Sequence, residues 1–241
     1  MSKMISQITT DTRPKVIFLD AMGTLFKLKS SVGKIYQQYA LKYGVQADAD
    51  LLEKAFIKSF RSAPPLAFLA AELTQLKEQE FDWWKNVVKT TFLQLGLLKK
   101  FSNFTAFFAE IYTYFSNKDP WYVFPDTINS LEKWSNQGIQ LGVISNFDTR
   151  LIKVLNVLDL EQFFISITIS SVAGFAKPDQ NIFKIALDKH GFVAQQAWHI
   201  GDSLTEDYQG AKNAGIRSFW LNRGLSSLNV ENQLPNLSTL G

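Results

Sequence analysis

Short buried strands alternate with capped helices along most of this chain, and this alternation constrains the fold more than any other feature. Apolar and β-branched residues, typical of buried strands, dominate five segments: 15–20, 139–145, 163–170, 197–201 and 217–221. Between and after them lie segments with the start and stop signals of helices, each ending at a Gly: 125–138, 177–191 and 205–215. Strands that alternate with helices form a parallel sheet. We therefore predict an α/β fold with a Rossmann-like, doubly wound parallel sheet.

Residues 30–117 interrupt the alternation, because apolar and aromatic residues recur there only at helical spacing. This pattern predicts about four helices, forming a helical cap inserted after the first strand. We expect the aromatic residues to be the core of the cap, with a ligand pocket as the alternative. The predicted core is then 15–29 with 118–241, and residues 1–14 are a tail. From about Gly224 the sequence predicts a loop or tail.

The composition argues against several functions. The net charge is only +3 and no basic run stands out, so nucleic acid is a poor candidate partner. The absence of cysteine excludes disulfides and thiolate catalysis, and it fits a reducing compartment. No apolar run reaches membrane-spanning length, and the polar start lacks a secretory signal. We expect a cytoplasmic protein that acts on a small molecule and contacts no membrane.

Polar residues collect where the predicted strands end. In an open parallel sheet, ligands bind beyond the carboxyl ends of the strands, at the point where the strand order reverses. The residues found there are Asp20, Gly23 and Thr24; Ser145, Asn146 and Asp148; Lys177 and Pro178; and Gly201, Asp202, Ser203, Glu206 and Asp207. Each fragment alone is ordinary helix-cap or turn chemistry. Their combination, at successive strand ends, predicts a single site.

The residue types at these ends suit phosphoryl chemistry. Three carboxylates, from Asp20, Asp202 and Asp207, make an oxygen site suited to Mg²⁺. Asp20 could also be the nucleophile of an acyl-phosphate pathway. Donors suited to a phosphoryl oxygen come from Thr24, Ser145 and Asn146, and Lys177 adds a positive charge.

Four motifs in order, "DAMGTL", "SN", "KP" and "GDSLTED", resemble those of the haloacid dehalogenase superfamily. The helical segment after the first motif resembles the cap of its subfamily I. Four more segments, "FDWWKNVVKTTFLQLG", "VISNFDTRL", "KPDQNIF" and "DYQGAKNAG", resemble the branch called haloacid dehalogenase-like hydrolase domain-containing protein 3.

The resemblance implies a role for each matching position. Asp20 would be the nucleophile, and Mg²⁺ would be held by Asp20, the backbone carbonyl of Met22, Asp202 and Asp207. The phosphoryl group would be bound by Thr24, Ser145 and Asn146, with Lys177 balancing charge. Glu206 could assist or replace Asp207. The motifs give no role to Asp148 or His199, which we interpret as a helix cap and a buried strand histidine.

Met22 departs from the pattern of superfamily phosphatases, which usually carry Asp two residues after the nucleophile. That Asp protonates the leaving oxygen and then activates water, and such catalysis typically contributes about 10²- to 10⁴-fold. A thioether transfers no proton. We therefore expect a Mg²⁺-dependent hydrolase that acts on a phosphorylated small molecule, slowly or with a good leaving group.

Two alternatives remain open. One is a 2-haloacid dehalogenase or a phosphonate hydrolase, because superfamily members with these activities also lack the second acid. The other is a binding or regulatory protein that retains the scaffold with weak catalysis.

Overall fold

The computed structural model describes residues 13–69, 72–224 and 230–240. In this part of the chain, six strands form one sheet in the order β5-β4-β1-β6-β7-β8, and every neighbouring pair is parallel. The strands are β1 (Val16–Leu19), β4 (Gln140–Ser145), β5 (Ser166–Ile169), β6 (Ala197–Gly201), β7 (Arg217–Leu221) and β8 (Gln233–Leu234). The predicted α/β fold is confirmed, and all five predicted strands are present.

The sheet is buried on both faces, which explains why its strands are apolar without alternation. Ile17 and Leu19 of β1 belong to one hydrophobic cluster, and Val16 and Phe18 to another. Helices α5 (Thr127–Asn136) and α6 (Arg150–Val157) pack in the first cluster. Helices α8 (Gln180–His190) and α9 (Gly210–Asn213) pack in the second, and a short helix α7 (Ser170–Ala173) follows β5.

Four α-helices occupy the described part of the stretch between β1 and β4 that was predicted to be helical. They are α1 (Val32–Lys42), α2 (Ala49–Ser62), α3 (Leu73–Gln94) and α4 (Phe104–Tyr114). The side chains of Ser31, Asp48 and Asn103 cap three of them by accepting backbone N–H groups. We call residues 32–114 the helical insert. Its buried aromatics, such as Phe92 and Phe107, pack edge to face in a cluster separate from the sheet, so the predicted aromatic core is present.

Three short strands were not predicted. Strands β2 (Phe26–Leu28) and β3 (Trp121–Val123) pair antiparallel at the base of the insert. Strand β8 pairs with β7, and Leu234 and Leu237 are buried, so the prediction of a loop or tail after Gly224 is wrong for this stretch. Strands of two or three residues are too short to show a periodic pattern. The predicted tail over 1–14 falls mostly outside the described residues.

Among the described residues, none of the helices combines the length and the apolar character that crossing a bilayer requires.

Candidate active site

Asp20 lies at the point where the strand order reverses. It follows β1, which pairs with β4 on one side and β6 on the other, and its backbone N–H donates to the Ile200 carbonyl at 2.9 Å. The chain runs from β1 to β4 and β5 on one side of the sheet, and then returns to β6 and β7 on the other. A crevice opens at such a reversal, so the predicted nucleophile lies where ligands of this architecture bind.

Lys177 connects two of the predicted acids. Its Nζ donates to Oδ1 of Asp20 at 2.7 Å and to Oδ1 of Asp207 at 2.5 Å, and all three side chains are buried. Burial raises the pKa of Asp20 to about 7, with help from Asp207 and Asp202 and against the effect of Lys177. Burial alone would lower the pKa of Lys177, but Asp20 and Asp207 raise it above its ordinary value. The lysine is therefore a permanent positive charge between two carboxylates.

Asp207 is fixed from three directions. Besides Lys177, it accepts from Nε2 of His199 at 2.9 Å and from the backbone N–H of Ser203 at 3.0 Å. Burial opposes ionisation, but Lys177 and His199 together hold the pKa of Asp207 below its usual range. A Cβ at Gly201 would lie 2.1 Å from Asp207 Cγ, so only glycine leaves room for the carboxylate. Asp207 is thus ionised and rigid.

His199 has one satisfied nitrogen. The interpretation as a buried strand histidine is correct in position, because the side chain is fully buried in β6. Its Nδ1, however, has no hydrogen-bond partner within the described residues. Burial lowers the pKa of His199, so the neutral ring donates through Nε2 and orients Asp207.

Asp202 completes an acidic cluster, which we define as Asp20, Asp202 and Asp207. One carboxylate oxygen from each of the three lies within 4.8 Å of those of the other two. Gly23 has φ +95°, and a Cβ there would lie 2.3 Å from Asp202 Oδ2. The glycine therefore lets the turn after β1 approach Asp202 closely. Hard oxygen donors in this arrangement fit Mg²⁺.

The three predicted phosphoryl donors are placed differently. Ser145 donates to Asp20 Oδ1 at 3.2 Å, so it lies beside the predicted nucleophile. Asn146 donates to the Lys177 carbonyl at 2.9 Å and to Glu206 at 3.1 Å, and it accepts the Lys177 N–H at 2.7 Å. Thr24 is fully buried, and its Oγ1 has no partner in the part of the chain that is described. Ser145 and Asn146 line the adjoining cavity, whereas Thr24 is not among its lining residues.

A cavity of about 270 Å³ opens above the acidic cluster and extends under the helical insert. We call it the aromatic cavity. Met22 lines it with a side chain that is 44% exposed, beside Asp20. Apolar side chains of the insert form most of the remaining wall, including Phe56, Phe60, Trp84, Val88, Phe108 and Ile111. The aromatic stripes of the insert therefore form both a core and a pocket wall, and the two interpretations of the sequence are not exclusive.

Two groups of polar contacts hold the insert against the sheet domain, and sequence patterns did not reveal either. Glu80 of α3 is fully buried and accepts from Thr149 N–H at 2.9 Å, Thr149 Oγ1 at 2.5 Å and Ser171 Oγ at 2.6 Å. Trp84, one turn later, donates to Asp148 at 2.5 Å. A single Glu and a single Trp on a helix carry no motif, so only the packing identifies them.

Asp148 does more than the predicted helix cap. It accepts the backbone N–H of Arg150 at 2.9 Å at the start of α6, as a cap would. It also forms a two-pronged ion pair with the Arg150 side chain, through Nε at 2.9 Å and Nη2 at 2.6 Å. The guanidinium lies 3.7 Å from the Tyr112 ring centroid and donates to the Tyr112 carbonyl. The pair therefore connects α6 to α4 of the insert.

The comparison with known proteins assigns this arrangement of sheet, insert and acidic cluster to a class of hydrolases. The chain belongs to the haloacid dehalogenase-like hydrolase family, whose model matches residues 14–215. It is 33% identical over 212 residues to haloacid dehalogenase-like hydrolase domain-containing protein 3 of Danio rerio, covering 86% of this chain and 84% of the relative. The resemblance to the superfamily and to this branch is confirmed.

Solved structures agree at the level of the fold. An L-2-haloacid dehalogenase superposes with a TM-score of 0.72 at 16% identity, covering 94% of this chain and 97% of that one. A haloacid dehalogenase-type phosphatase from Thermococcus onnurineus superposes with a TM-score of 0.64 at 21% identity, covering 94% and 95%. One fold carries both activities in these neighbours, so the reaction has to be argued from the site.

Proposed function

We propose that this protein is a Mg²⁺-dependent hydrolase that removes the phosphoryl group of a phosphorylated small molecule through an aspartyl-phosphate at Asp20. One observation carries the proposal. Asp20 contacts the Lys177 ammonium at 2.7 Å, and one of its oxygens lies within 4.8 Å of oxygens of Asp202 and Asp207, beneath a cavity of substrate size.

Asp20, Asp202 and Asp207, with the backbone carbonyl of Met22, would hold the metal. Three carboxylates beside a single lysine leave excess negative charge, which a divalent cation offsets. When bound, Mg²⁺ would supply positive charge to the phosphoryl oxygens.

Each residue then has a defined part in the first step. The Asp20 carboxylate attacks phosphorus, an acyl-phosphate bond forms, and the bond from phosphorus to the leaving oxygen breaks. Ser145 would turn its hydroxyl from Asp20, and Asn146 its amide N–H from Glu206, to donate to the phosphoryl oxygens, while Lys177 balances the charge between nucleophile and substrate. The leaving oxygen takes its proton from solvent, because Met22 has none to give.

In the second step, water attacks the phosphorus of the aspartyl-phosphate. Inorganic phosphate leaves, and the Asp20 carboxylate is regenerated, so the atoms balance over the two steps. No carboxylate stands at position 22 to accept the proton of the attacking water. We therefore expect this step to limit the rate.

A dehalogenase is the second candidate, and Met22 is the observation that favours it, because a halide leaves without a proton. The acidic cluster favours the phosphatase. The attack of a carboxylate on the carbon of a haloacid needs no divalent cation. A dehalogenase would therefore not require the three carboxylates of the acidic cluster.

Intact-mass measurement tests the proposal. Wild type and Asp20→Asn are mixed with Mg²⁺ and acetyl phosphate and quenched in acid, with EDTA in a parallel sample. We expect a phosphoryl adduct on wild type alone, lost with EDTA, together with turnover that Asp20→Asn lacks. Equal turnover in Asp20→Asn would contradict the proposal. Halide release from 2-chloropropionate in EDTA, with no adduct from acetyl phosphate, would establish the dehalogenase instead.

A further inference from the structure

The wall of the aromatic cavity that faces away from the acidic cluster is apolar over most of its area. The helices of the insert supply Val32, Phe56, Phe60, Val88 and Ile111, and Phe115 follows the last of them. An apolar surface contributes to binding only when an apolar group covers it, at about 25 cal/mol per Å². The part of the substrate that enters this cavity is therefore an apolar group, and the cavity of about 270 Å³ limits it to a compact one.

The cationic residue of this wall is already neutralised. Arg150 lines the cavity, but its guanidinium forms the two-pronged pair with Asp148 and donates to the Tyr112 carbonyl at 3.1 Å. Asp148 is fully buried. The wall therefore offers no net positive charge to an anionic substituent, and burying such a substituent would be costly.

Tyr36 supplies one polar group to the same cavity. Its side chain lines the cavity and is only 2% exposed, with its ring packed against Phe56, Phe92 and Phe107. Its hydroxyl has no hydrogen-bond partner among the described residues. Burial raises the pKa of Tyr36, so the hydroxyl remains a donor. Because this hydroxyl is open to the cavity and not sealed in the core, a polar group on a ligand can accept its hydrogen bond in place of water.

Met22, beside Asp20, also restricts the leaving group. Because a thioether gives no proton, the leaving group has to depart as an anion. A phenol has a pKa of about 10, like the tyrosine side chain, whereas aliphatic alcohols are far weaker acids. A phenolate therefore leaves without a proton far more readily than an alkoxide does. The residue beside Asp20 and the wall of the cavity thus favour the same kind of group.

We infer that the substrate is an aryl phosphate, a phosphate monoester of a compact, uncharged phenol whose ring occupies the aromatic cavity and whose polar substituent accepts from Tyr36. This inference rests on the proposed function. The Asp20 carboxylate attacks phosphorus, the bond from phosphorus to the aryl oxygen breaks, and the phenolate takes a proton from solvent. Water then hydrolyses the aspartyl-phosphate.

A panel of monoesters tests the inference on the wild-type protein with Mg²⁺. We expect kcat/KM for phenyl phosphate to exceed that for cyclohexyl phosphate, which fits the same space, by about 100-fold or more, because only the alkoxide needs a proton. We expect it to exceed that for 4-carboxyphenyl phosphate by about tenfold or more. Equal rates for phenyl and cyclohexyl phosphate would overturn the choice of a phenol. A preference for the carboxylate would overturn the choice of an uncharged one.

Two variants test the cavity itself. Val88→Phe reduces its volume, and we expect the ratio of kcat/KM for phenyl phosphate to kcat/KM for acetyl phosphate to fall by about tenfold or more. Leu93→Phe adds the same ring to an exposed position of α3 outside the cavity and should leave the ratio unchanged. Tyr36→Phe should lower the ratio of kcat/KM for 4-acetylphenyl phosphate to kcat/KM for phenyl phosphate by about 5–10-fold. Unchanged ratios in both cavity variants would show that the ring binds elsewhere.

Acetyl phosphate separates the two ways of failing. If it phosphorylates Asp20 while aryl phosphates have no advantage, only the substrate class is wrong. If no donor phosphorylates Asp20, and Asp20→Asn turns over as wild type does, the proposed function is wrong and the inference falls with it.

Discussion

The two sides of the candidate active site are built in opposite ways. Its floor, the acidic cluster with Lys177, consists of charged groups that follow β1 and β6 and of a lysine in the loop before α8, which contacts Asp20 at 2.7 Å and Asp207 at 2.5 Å. Its roof, the aromatic cavity wall, consists of apolar side chains from helices that lie about one hundred residues away in sequence from much of the floor. Short polar contacts hold Asp20, Lys177 and Asp207 of the floor in place, whereas apolar packing holds the side chains of the roof.

In the proposed mechanism, this difference separates the residues that act on the phosphoryl group from those that select the leaving group. In the proposed mechanism the floor would hold a metal and a phosphoryl group whatever the rest of the substrate is, because its side chains interact only with oxygen atoms and charge. The roof contacts no reacting atom in the proposed mechanism, and its shape decides which leaving group fits. Met22 lies between the floor and the roof, because it lines the cavity beside Asp20. Its thioether cannot supply the proton that the leaving oxygen takes in the proposed mechanism.

If the floor lacks only a proton donor, placing an acid at position 22 should raise the rate of hydrolysis more than any other substitution. Met22→Asp is expected to raise kcat/KM for alkyl phosphates by about 10²- to 10⁴-fold, and kcat/KM for aryl phosphates by less. The half-exposed position lets an aspartate ionise without full burial. Steady-state phosphate release measures the gain, with Met22→Asn as the matched control that cannot transfer a proton. An equal gain in both variants would mean that polarity, and not proton transfer, limits the reaction.

Removing the positive charge of the floor should destabilise it strongly. Lys177→Met leaves two buried carboxylates without their counter-ion, and breaking a buried pair in this way typically costs about 3–5 kcal/mol. Urea unfolding of metal-free protein measures the loss. Lys184→Met changes an exposed lysine of α8 and should alter the free energy of unfolding by less than about 0.5 kcal/mol. A similar loss of unfolding free energy in both variants would show that the substitution by methionine, and not the loss of the ion pairs, is destabilising.

The roof depends on Glu80 for its attachment to the sheet domain. Glu80→Gln keeps one oxygen for the Thr149 N–H and Ser171, but it places an amide N–H against the Thr149 hydroxyl and removes the charge that strengthens all three bonds, so we expect a loss of about 1–3 kcal/mol. Hydrogen exchange should quicken in the first half of α3 and at the start of α6, while the amides of β1 are unaffected. The exposed Glu78→Gln is the control. Unchanged exchange at α3 would indicate that the other contacts of the insert, such as Trp84 with Asp148 and Arg150 with Tyr112, hold it without Glu80.

The raised pKa of Asp20 predicts a small dependence of stability on pH without metal. Between its ordinary value of 3.8 and about 7, the folded carboxyl keeps a proton that the unfolded one has lost, so its contribution to stability falls as the pH rises through this window. In EDTA at pH 8, Asp20→Asn should therefore melt higher than wild type, by about 2–4 °C for each kcal/mol gained. The difference should shrink as the pH is lowered towards 4. A difference in melting temperature between the two proteins that does not change with pH would contradict the raised pKa of Asp20.

Much of the floor could be predicted because its residues follow strands. The alternation of buried strands and capped helices indicated a parallel sheet, and in such a sheet the carboxyl ends meet at one edge. Asp20, Ser145 and Asp202 could therefore be assigned to one place from their positions alone. Thr24 shows the limit of this reasoning, because its side chain follows the same strand but is buried away from the cavity.

The sequence by itself determined the fold class, the strand ends and the absence of an acid at Met22, because each of these depends on local pattern or on a single residue type. Only the tertiary structure decided that Lys177 bridges Asp20 and Asp207, that Glu80 and Trp84 hold the insert, and that Tyr36 shares a cavity with the nucleophile. These contacts join residues far apart in the chain. Their partners are set by how the helices pack, and no periodicity in the sequence records that packing.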